Sequence, residues 1–390
     1  MKTKKAKRKI AVITTSRADY AHLRWLLHDL AHHPLINLHV IALGPHLSPE
    51  FGHTGKQIVD GSGKFGSGKF TAVECLLSSD TDVGMAKTLG VATLGLAETL
   101  GQLRPDLVVL VADRYEMLAP ANVALTLRIP IAHIEGGEIT TGAIDDAVRN
   151  ALTKMAHLHF SCTRRAQKRI IAMGEEPWRV TFSGSLSLDD LHRSRLLTRS
   201  QMEKKLGVSL HGTNIVAIYH PVTMMNDTTE EASEFFSALE SVEHPVLFIY
   251  PNADAGSRRI IQMAEKFVQE HPSSRLFVNL DHVTYLSLLQ YASVLLGNSS
   301  GGMIESTSLE IPALNIGIRQ RGREHAANVL NVPADRKKIL AKLKRALSPQ
   351  FRKSCKGLHS PYGDGHASGR IAKILAETEL GPKLLFKRAQ

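Results

Sequence analysis

The chain contains 390 residues, of which 43% are hydrophobic, 22% are charged and 5% are aromatic. This composition is typical of a folded chain with two or three domains, and it excludes a disordered or a fibrous protein. The formal net charge is +11, and because six of the basic residues lie within the first nine positions, the remaining excess is modest and suits an anionic substrate.

The chain begins with this basic tail. No apolar stretch of the signal-peptide kind follows it. Nowhere does the sequence contain the run of roughly 20 consecutive apolar residues that a membrane span needs. A basic tail can bind nucleic acid, but aromatic residues are not interleaved with the charges, so we interpret it as a solvated extension. We expect neither a nucleic-acid nor a membrane partner. The basic residues of the tail are Lys2, Lys4, Lys5, Lys7, Arg8 and Lys9.

Short apolar runs alternate with segments of helical spacing along the whole chain. This alternation predicts parallel βαβ units and an α/β fold of two Rossmann-like doubly wound domains, residues 1–185 and 186–369. Residues 370–390 are predicted as a C-terminal helix, whose sequence is compatible with a return to the first domain. The predicted strands are residues 10–14, 38–43, 107–111, 129–134, 157–161, 180–182, 215–219, 246–250, 276–278, 294–296 and 313–316.

A tandem repeat, GSGKF-GSGKF, occupies residues 61–70. Gly63, Gly68 and Lys69 have the spacing of a phosphate-binding P-loop, but Phe70 stands where a magnesium-binding Ser or Thr belongs. No convincing strand leads into the repeat. We therefore interpret it as a loop rather than as the nucleotide site of an ATPase.

The segment after Gly142 has the pattern of an amphipathic helix. Apolar residues recur there at intervals of three and four, which predicts one buried helical face. The residues of this face are Ile144, Ala147, Val148, Ala151, Leu152 and Met155.

Cysteine and histidine residues do not suggest a metal centre. The three cysteines, Cys75, Cys162 and Cys355, are too few and too scattered for a disulfide framework or a zinc site, which favours a reduced cytoplasm. His157 and His159 lie two residues apart in a predicted strand, where we expect a structural role. We expect neither a metal nor a cofactor.

Polar and charged residues follow most of the predicted strands. Ligands of open α/β sheets bind beyond the carboxyl ends of the strands, so this distribution predicts a site in a cleft between the two domains. The residues concerned are Ser16, Arg17, Asp19, Asp113, Arg114, Glu135, Glu138, His220, Asn252, Asp254, Asn298, Ser299, Ser300, Arg319 and Arg323.

The glycine- and serine-rich stretch 297–302 follows a predicted strand and precedes a predicted helix. Helix-start amides together with the hydroxyls of Ser299 and Ser300 could hold an anion, although serine at such a position is also an ordinary helix cap. Arg319 and Arg323 lie after the next strand, and guanidinium groups pair with phosphate oxygens. The combination favours a diphosphate site.

Three carboxylates, Asp113, Glu135 and Asp145, lie near strand ends or a helix start, where a substrate could reach them. Each also has a structural explanation. Asp113 could be a turn residue, Glu135 could be held by Arg114, and Asp145 could cap its helix or pair with Arg149. Three acids and a histidine at one cleft nevertheless favour acid–base catalysis.

These residues lie within motifs that occur in order along nearly the whole chain, and together they resemble the hydrolysing UDP-N-acetylglucosamine 2-epimerases of sialic-acid biosynthesis. One departure is Ala21, which stands where the animal enzymes have a serine that contacts UDP. The motifs are SRADY (16–20), ADRYE (112–116), HIEGGE (133–138), GAIDDAVRNALTKMAHLHF (142–160), HPVT (220–223), YPNADAGS (250–257), GNSSGGMIE (297–305) and RQRGRE (319–324).

The resemblance implies a glycosyltransferase-B-like fold, a homodimer or homotetramer, and conversion of UDP-N-acetylglucosamine and water to N-acetylmannosamine and UDP. It assigns catalysis to Asp113, Glu135, Asp145 and His220. It assigns contacts with the nucleotide sugar to Arg17 and Arg114. The remaining UDP contacts are assigned to Asn252, Ser299, Ser300, Glu305 and Arg319.

Two alternatives share this fold. The substrate could be a nucleotide-linked 2,4-diacetamido-2,4,6-trideoxyhexose of the legionaminic-acid route, which differs at C4 and C6 of the sugar. A glycosyltransferase would use the same diphosphate site, but it would leave the three acids without a function.

Overall fold

A computed structural model describes residues 7–47, 68–77, 81–251, 254–278 and 280–388, apart from the side chains of Arg17, Ala18 and Pro45. The chain divides into two compact units. Unit 1 comprises Met1–Glu138, Asp145–Asp189 and Tyr362–Gln390, whereas unit 2 comprises Ile139–Ile144 and Asp190–Pro361. No helix in the described ranges is long and apolar enough to cross a membrane.

Unit 1 is built on a parallel sheet of seven strands in the order β3-β2-β1-β4-β5-β6-β7. The central strands are buried on both faces, as expected for a sheet with helices on either side. The strands are β1 (Arg8–Thr14), β2 (Ile36–Leu43), β3 (Lys69–Val73), β4 (Leu107–Val111), β5 (Ile131–Ile134), β6 (Leu158–Ser161) and β7 (Val180–Phe182).

The helices of unit 1 pack their apolar faces on this sheet. Ser16 and Asp19 form a capping box at the start of the first helix, and Thr163 caps the helix after β6. The helices are α1 (Arg17–His32), α2 (Asp82–Leu103), α3 (Leu118–Thr126), α4 (Asp145–Met155), α5 (Arg164–Ala172) and, near the end of the chain, α14 (Ala367–Glu377) and α15 (Pro382–Leu385).

Unit 2 repeats the architecture with a six-stranded parallel sheet in the order β10-β9-β8-β11-β12-β13. Its strands are β8 (Ile215–Ile218), β9 (Val246–Ile249), β10 (Arg275–Phe277), β11 (Val294–Gly297), β12 (Ala313–Ile316) and β13 (Val329–Val332). Its helices are α7 (Arg199–Leu206), α8 (Glu230–Leu239), α9 (Ser257–Glu270), α10 (His282–Gln290), α11 (Glu305–Ser308), α12 (Arg336–Leu347) and α13 (Pro349–Ser354), while α6 (Asp189–Arg193) lies at the boundary of the two units.

The predicted α/β fold with two doubly wound sheets is confirmed, and each of the eleven predicted strands has a counterpart. Two strands were missed, β3 and β13, and both lie at a sheet edge. Most of β3 is exposed or half-buried, so it lacks the continuous apolar run that marks a buried strand, and β13 is a run of only four residues that the exposed Asn331 interrupts. Lys69 and Phe70 begin β3, so the loop predicted for residues 61–70 is wrong at its end; residues 61–67 lie outside the described residues.

The predicted apolar face of α4 is partly wrong. Ala147 and Ala151 are exposed, whereas Arg149 and Thr153 are buried beside Val148 and Leu152. Compared with the prediction, the buried face of α4 is therefore rotated about the helix axis so that it includes Arg149. This rotation places Arg149 next to the candidate site described below.

The predicted C-terminal helix is in fact two helices, α14 and α15, separated by residues 378–381. This segment lies in unit 1 and is held there by buried arginine contacts. Arg179 donates to the carbonyl oxygens of Lys383, Leu384 and Phe386 at 2.7–3.0 Å. At the other end of the chain Arg8, predicted as part of the solvated tail, belongs to β1 and donates to the carbonyl of Thr378 at 2.6 Å.

Candidate active site

Two carboxylates of unit 1 lie just beyond the carboxyl ends of neighbouring strands. Strands β4 and β5 pair in parallel with Val111 opposite Ile134, and Asp113 and Glu135 follow these ends. The backbone is strained there, since Ala112 (φ 59°) and Glu135 (φ 70°) adopt the left-handed conformation that is uncommon for residues other than glycine. Such strain concentrates at functional sites. The sheet thus presents both carboxylates at one edge.

The buried side chain of Arg149 holds Asp113. Arg149 is 1% exposed and its Nη2 pairs with the Asp113 carboxylate. Its Nη1 donates to the carbonyl oxygen of Glu138 at 2.9 Å and lies 3.3 Å from Asp146 Oδ1. An adjacent guanidinium favours the ionised form of a carboxylate, so Asp113 is arranged as an anion that can accept a proton.

Glu135 is fixed by a different group. Its side chain is buried, and Ser185 Oγ donates to Glu135 Oε1 at 3.3 Å. The backbone N–H of Ser185 donates in turn to the carbonyl of Tyr362 at 2.8 Å. The second carboxylate is therefore oriented by the segment after β7 and by the chain that returns before α14.

Glu138 is a third buried acid at this edge. Its Oε1 accepts a hydrogen bond from Thr163 Oγ1 at 3.2 Å, and its Oε2 accepts one from the hydroxyl of Tyr362 at 3.3 Å. The carbonyl of Glu138 also accepts a hydrogen bond from Arg149, which holds Asp113. Glu138 therefore links Arg149 with Tyr362, whose carbonyl accepts from the residue that orients Glu135.

His133 supports the strained residue before Asp113. Burial lowers the pKa of His133 to about 4, so the ring is neutral near pH 7. The ring nitrogen Nε2 lies 2.8 Å from the carbonyl oxygen of Ala112 and, as the donor to that carbonyl, carries the proton. The neutral imidazole therefore fixes the backbone from which the Asp113 side chain projects.

Arg114 is oriented by a buried carboxylate. Its Nη2 donates to Glu116 Oε1 at 2.8 Å, and Glu116 has no exposed surface. Burial raises the pKa of Glu116, an effect that the Arg114 guanidinium opposes. The arrangement restricts the orientation of Arg114, the predicted contact to the nucleotide sugar.

In unit 2, His220 and the loop after β11 are tied together by Asn298. The Asn298 side chain accepts from the backbone N–H of His220 at 2.7 Å and donates to its carbonyl at 2.9 Å. Gly297 (φ 135°) makes this approach possible, because a Cβ atom there would lie 1.9 Å from the carbonyl oxygen of Ile218. The ends of β8 and β11 are thus held as one structure.

Arg319 joins the same structure. Its Nη1 donates to the carbonyl oxygen of Asn298 at 3.2 Å, as does Nε2 of Gln320, also at 3.2 Å. His220, Asn298 and Arg319 are all buried. A guanidinium, an imidazole and loop amides converge at the carboxyl edge of this sheet, a combination suited to a phosphate anion.

The stretch after β11 differs from the predicted helix start. It forms a 3-10 turn at Ser300–Gly302, and the Ser299 hydroxyl caps that turn by accepting from the backbone N–H of Gly301 at 3.4 Å. Ser299 therefore has the capping role that the sequence left open. Helix α11 begins only at Glu305 and is four residues long.

Glu305 supplies a buried acceptor to this region. Its side chain is 2% exposed, and no described residue forms a hydrogen bond with its Oε2 atom. The Tyr285 ring lies nearby, and burial together with the Glu305 carboxylate raises the pKa of the Tyr285 hydroxyl well above its usual value. An unsatisfied buried carboxylate oxygen is costly unless a ligand donor, such as a hydroxyl, reaches it.

The structure brings Asp113, Glu135 and Arg114 together in unit 1, and His220, Ser299, Ser300, Glu305 and Arg319 lie around the carboxyl edge of the sheet in unit 2. Asp145 is the first residue of α4 and is half-buried. Asn252 and the Arg17 side chain lie outside what the structure describes. The supporting roles of Arg149, Glu138, Ser185 and Tyr362 were not predicted, and of these residues only Arg149 had a signal, as a charged residue within an apolar helical pattern.

The two strand histidines have structural partners. The Nδ1 atom of His157 accepts from the backbone N–H of Ile131 at 3.1 Å, and Nε2 of His159 lies 3.1 Å from Glu175. Burial lowers the pKa of His157 to about 4. These contacts give both histidines partners within unit 1.

Comparison with known proteins identifies related sequences over most of the chain. Residues 28–376 match the family model of UDP-N-acetylglucosamine 2-epimerase. The chain is 36% identical over 330 residues to the hydrolysing GDP/UDP-N,N′-diacetylbacillosamine 2-epimerase of Campylobacter jejuni, covering 84% of each chain. It is 32% identical over 382 residues to the hydrolysing UDP-N,N′-diacetylbacillosamine 2-epimerase of Legionella pneumophila, covering 97% of this chain and 98% of the other.

The fold is similar to that of solved structures. A UDP-N-acetylglucosamine 2-epimerase of Methanocaldococcus jannaschii, solved with UDP-N-acetylglucosamine and UDP, superposes with a TM-score of 0.77 at 17% identity. The match covers 95% of this chain and 100% of that one. The glycosyltransferase-B-like architecture is thereby confirmed.

Proposed function

Because the chain belongs to the UDP-N-acetylglucosamine 2-epimerase family, we propose that it is a hydrolysing 2-epimerase, which converts a UDP-linked 2-acetamido sugar and water to UDP and the free 2-epimer. The observation that carries this proposal is the placement of Asp113, paired with Arg149, and Glu135 beyond adjacent strand ends. A glycosyltransferase would have no use for two such carboxylates.

The chemistry begins at C1 of the sugar. The hydrogen at C2 is not adjacent to a carbonyl, so a carboxylate cannot remove it from the resting substrate. As the C1–O bond breaks and its electron pair leaves with UDP, C1 gains oxocarbenium character and the C2–H bond becomes acidic. Loss of that proton gives a 2-acetamidoglucal, and water then adds at C1 while C2 is protonated from the opposite face.

We assign removal of the C2 proton to Asp113. A carboxylate must be ionised to act as a base, and pairing with Arg149 favours the ionised form. Glu135 serves the second proton transfer. Asp145 orients or shares a proton at the start of α4.

The departing diphosphate needs positive charge and hydrogen-bond donors. Arg319, His220 and the loop 297–302 supply them in this proposal, and Arg114 and Arg17 contact the nucleotide sugar. Ser300 belongs to the same loop, and Asn252 adds a further UDP contact. The free Oε2 atom of Glu305 is the acceptor for a sugar hydroxyl of UDP.

The substrate is proposed from similarity. The two relatives described above act on N,N′-diacetylbacillosamine nucleotides, which are 2,4-diacetamido-2,4,6-trideoxyhexose derivatives, and this favours such a sugar for the present chain. UDP-N-acetylglucosamine, with N-acetylmannosamine as its product, is the second candidate, favoured by the family model.

Incubation with each UDP sugar, followed by NMR of the products, tests this proposal. We expect UDP and a free 2-epimer from UDP-N,N′-diacetylbacillosamine, with a kcat/KM at least tenfold above that for UDP-N-acetylglucosamine. The reverse preference would assign the second candidate. Release of UDP from neither sugar, or transfer of the sugar to an acceptor without inversion at C2, would contradict the proposed activity.

A further inference from the structure

Residues Ile139–Ile144 form a short segment, here called the 139–144 strap, that belongs to unit 2 although the residues on either side belong to unit 1. Glu138 precedes it and Asp145 follows it, so candidate site residues of unit 1 lie at both of its ends. Along the chain, the strap therefore connects Glu138, which lies among the contacts of the other two acids, with Asp145.

The strap packs directly against the loop that carries Arg319. A Cβ atom at Gly142 would lie 2.7 Å from the Cα of Arg319 and 2.8 Å from its backbone nitrogen. Thr141 Oγ1 donates to the carbonyl oxygen of Arg321 at 2.9 Å. Because the atoms that Gly142 faces are backbone atoms, they cannot move aside as a flexible side chain would.

The strap also contacts the turn after His220. The backbone N–H of Ile144 donates to Thr223 Oγ1 at 3.2 Å, and that of Met224 donates to the carbonyl of Gly142 at 3.4 Å. The strap thus lies between the two loops that carry the groups assigned to the diphosphate.

We propose that Thr141 and Gly142 are positioning residues, which tie the diphosphate loop of Arg319 to the start of α4 and so place Asp145 when UDP occupies that loop. The inference rests on the proposed function. Two residues separate Gly142 from Asp145, and the second of them, Ile144, is hydrogen-bonded to Thr223. The chain is therefore held within unit 2 up to the residue that precedes Asp145.

Thr141→Val tests the tie by removing the hydroxyl at constant size. A hydrogen bond contributes about 0.5–1.5 kcal/mol, or roughly 2- to 13-fold. We expect the dissociation constant of UDP, measured by calorimetry, to rise and kcat to fall, each within about that range. Thr141→Ser, which keeps the hydroxyl, is expected to stay within twofold of the wild type in both.

Gly142→Ala is expected to have a larger effect, with UDP affinity and kcat each reduced at least tenfold. Gly101→Ala is the matched control, since Gly101 lies in α2 with nothing within 4 Å of an added Cβ, and it should match the wild type. If Gly142→Ala does not fold, the Thr141 pair carries the test.

A fall in UDP affinity with unchanged kcat would overturn the inference, because the strap would then support only the nucleotide loop. Unchanged values in both Thr141→Val and Gly142→Ala would overturn it as well. The calorimetric measurement does not require turnover. An inactive wild type that binds UDP would therefore count against the proposed function alone, while unchanged UDP affinity in both variants would still overturn the inference.

Discussion

Asp113→Asn and Glu135→Gln are each expected to abolish release of UDP and of the free 2-epimer while leaving the fold intact. The amides keep the shape of the side chains but can neither accept nor deliver the proton at C2. Proton transfer by a positioned side chain contributes about 10²–10⁴-fold to a rate, so we expect kcat to fall by at least that amount. Steady-state assays of UDP release measure the loss.

Glu98→Gln is the matched control, because Glu98 is exposed on α2 and should tolerate the change without loss of rate. Circular dichroism and UDP binding would show that both site variants remain folded. Near-native turnover in both single variants, Asp113→Asn and Glu135→Gln, would exclude the carboxylate mechanism.

Arg149→Met is expected to be the next most damaging change. It removes the buried cation that pairs with Asp113 and donates to the Glu138 carbonyl. Without the guanidinium the Asp113 carboxylate loses the partner that holds it in place, so the proton at C2 no longer meets a positioned base. We expect at least a hundredfold lower kcat/KM, measured by steady-state assays of UDP release.

Removal of one partner from a buried ion pair typically costs about 3–5 kcal/mol, so Arg149→Lys is the second variant, which keeps the charge but loses the planar fork. It should fold and retain an intermediate rate. Arg165→Met, at an exposed position of α5, is the control. A kcat/KM of folded Arg149→Met equal to that of the wild type would show that Arg149 does not act through Asp113.

The buried parts of the fold were predictable from local patterns. Central strands such as β4 and β8 are continuous apolar runs, and their period and length distinguish them from helices. Strands β3 and β13 were missed because their apolar runs are too polar or too short, and the pairing with a neighbouring strand that places them in the sheet is not reported by local hydropathy. The break between α14 and α15, in contrast, has a local signal that the prediction overlooked, since Gly381 and Pro382 interrupt the helical pattern.

The candidate site was predictable only where topology places a residue. The placement of Asp113 and Glu135 beyond neighbouring strand ends could be predicted because parallel strands end at a common edge. The supports of those acids could not, since the contacts of Arg149 with Asp113 and of Tyr362 with Glu138 join residues 36 and 224 positions apart. The assignment of the 139–144 strap to unit 2 also has no local signature, because its contacts are with residues near Thr223 and Arg321.

Hydrogen exchange at C2 tests the central claim most directly. When the reaction runs in deuterium oxide, the account predicts a free sugar product that carries deuterium at C2, since the original proton passes to a carboxylate before reprotonation from the other face. NMR of the product measures this label. A product of inverted configuration that retains protium at C2 would contradict the account.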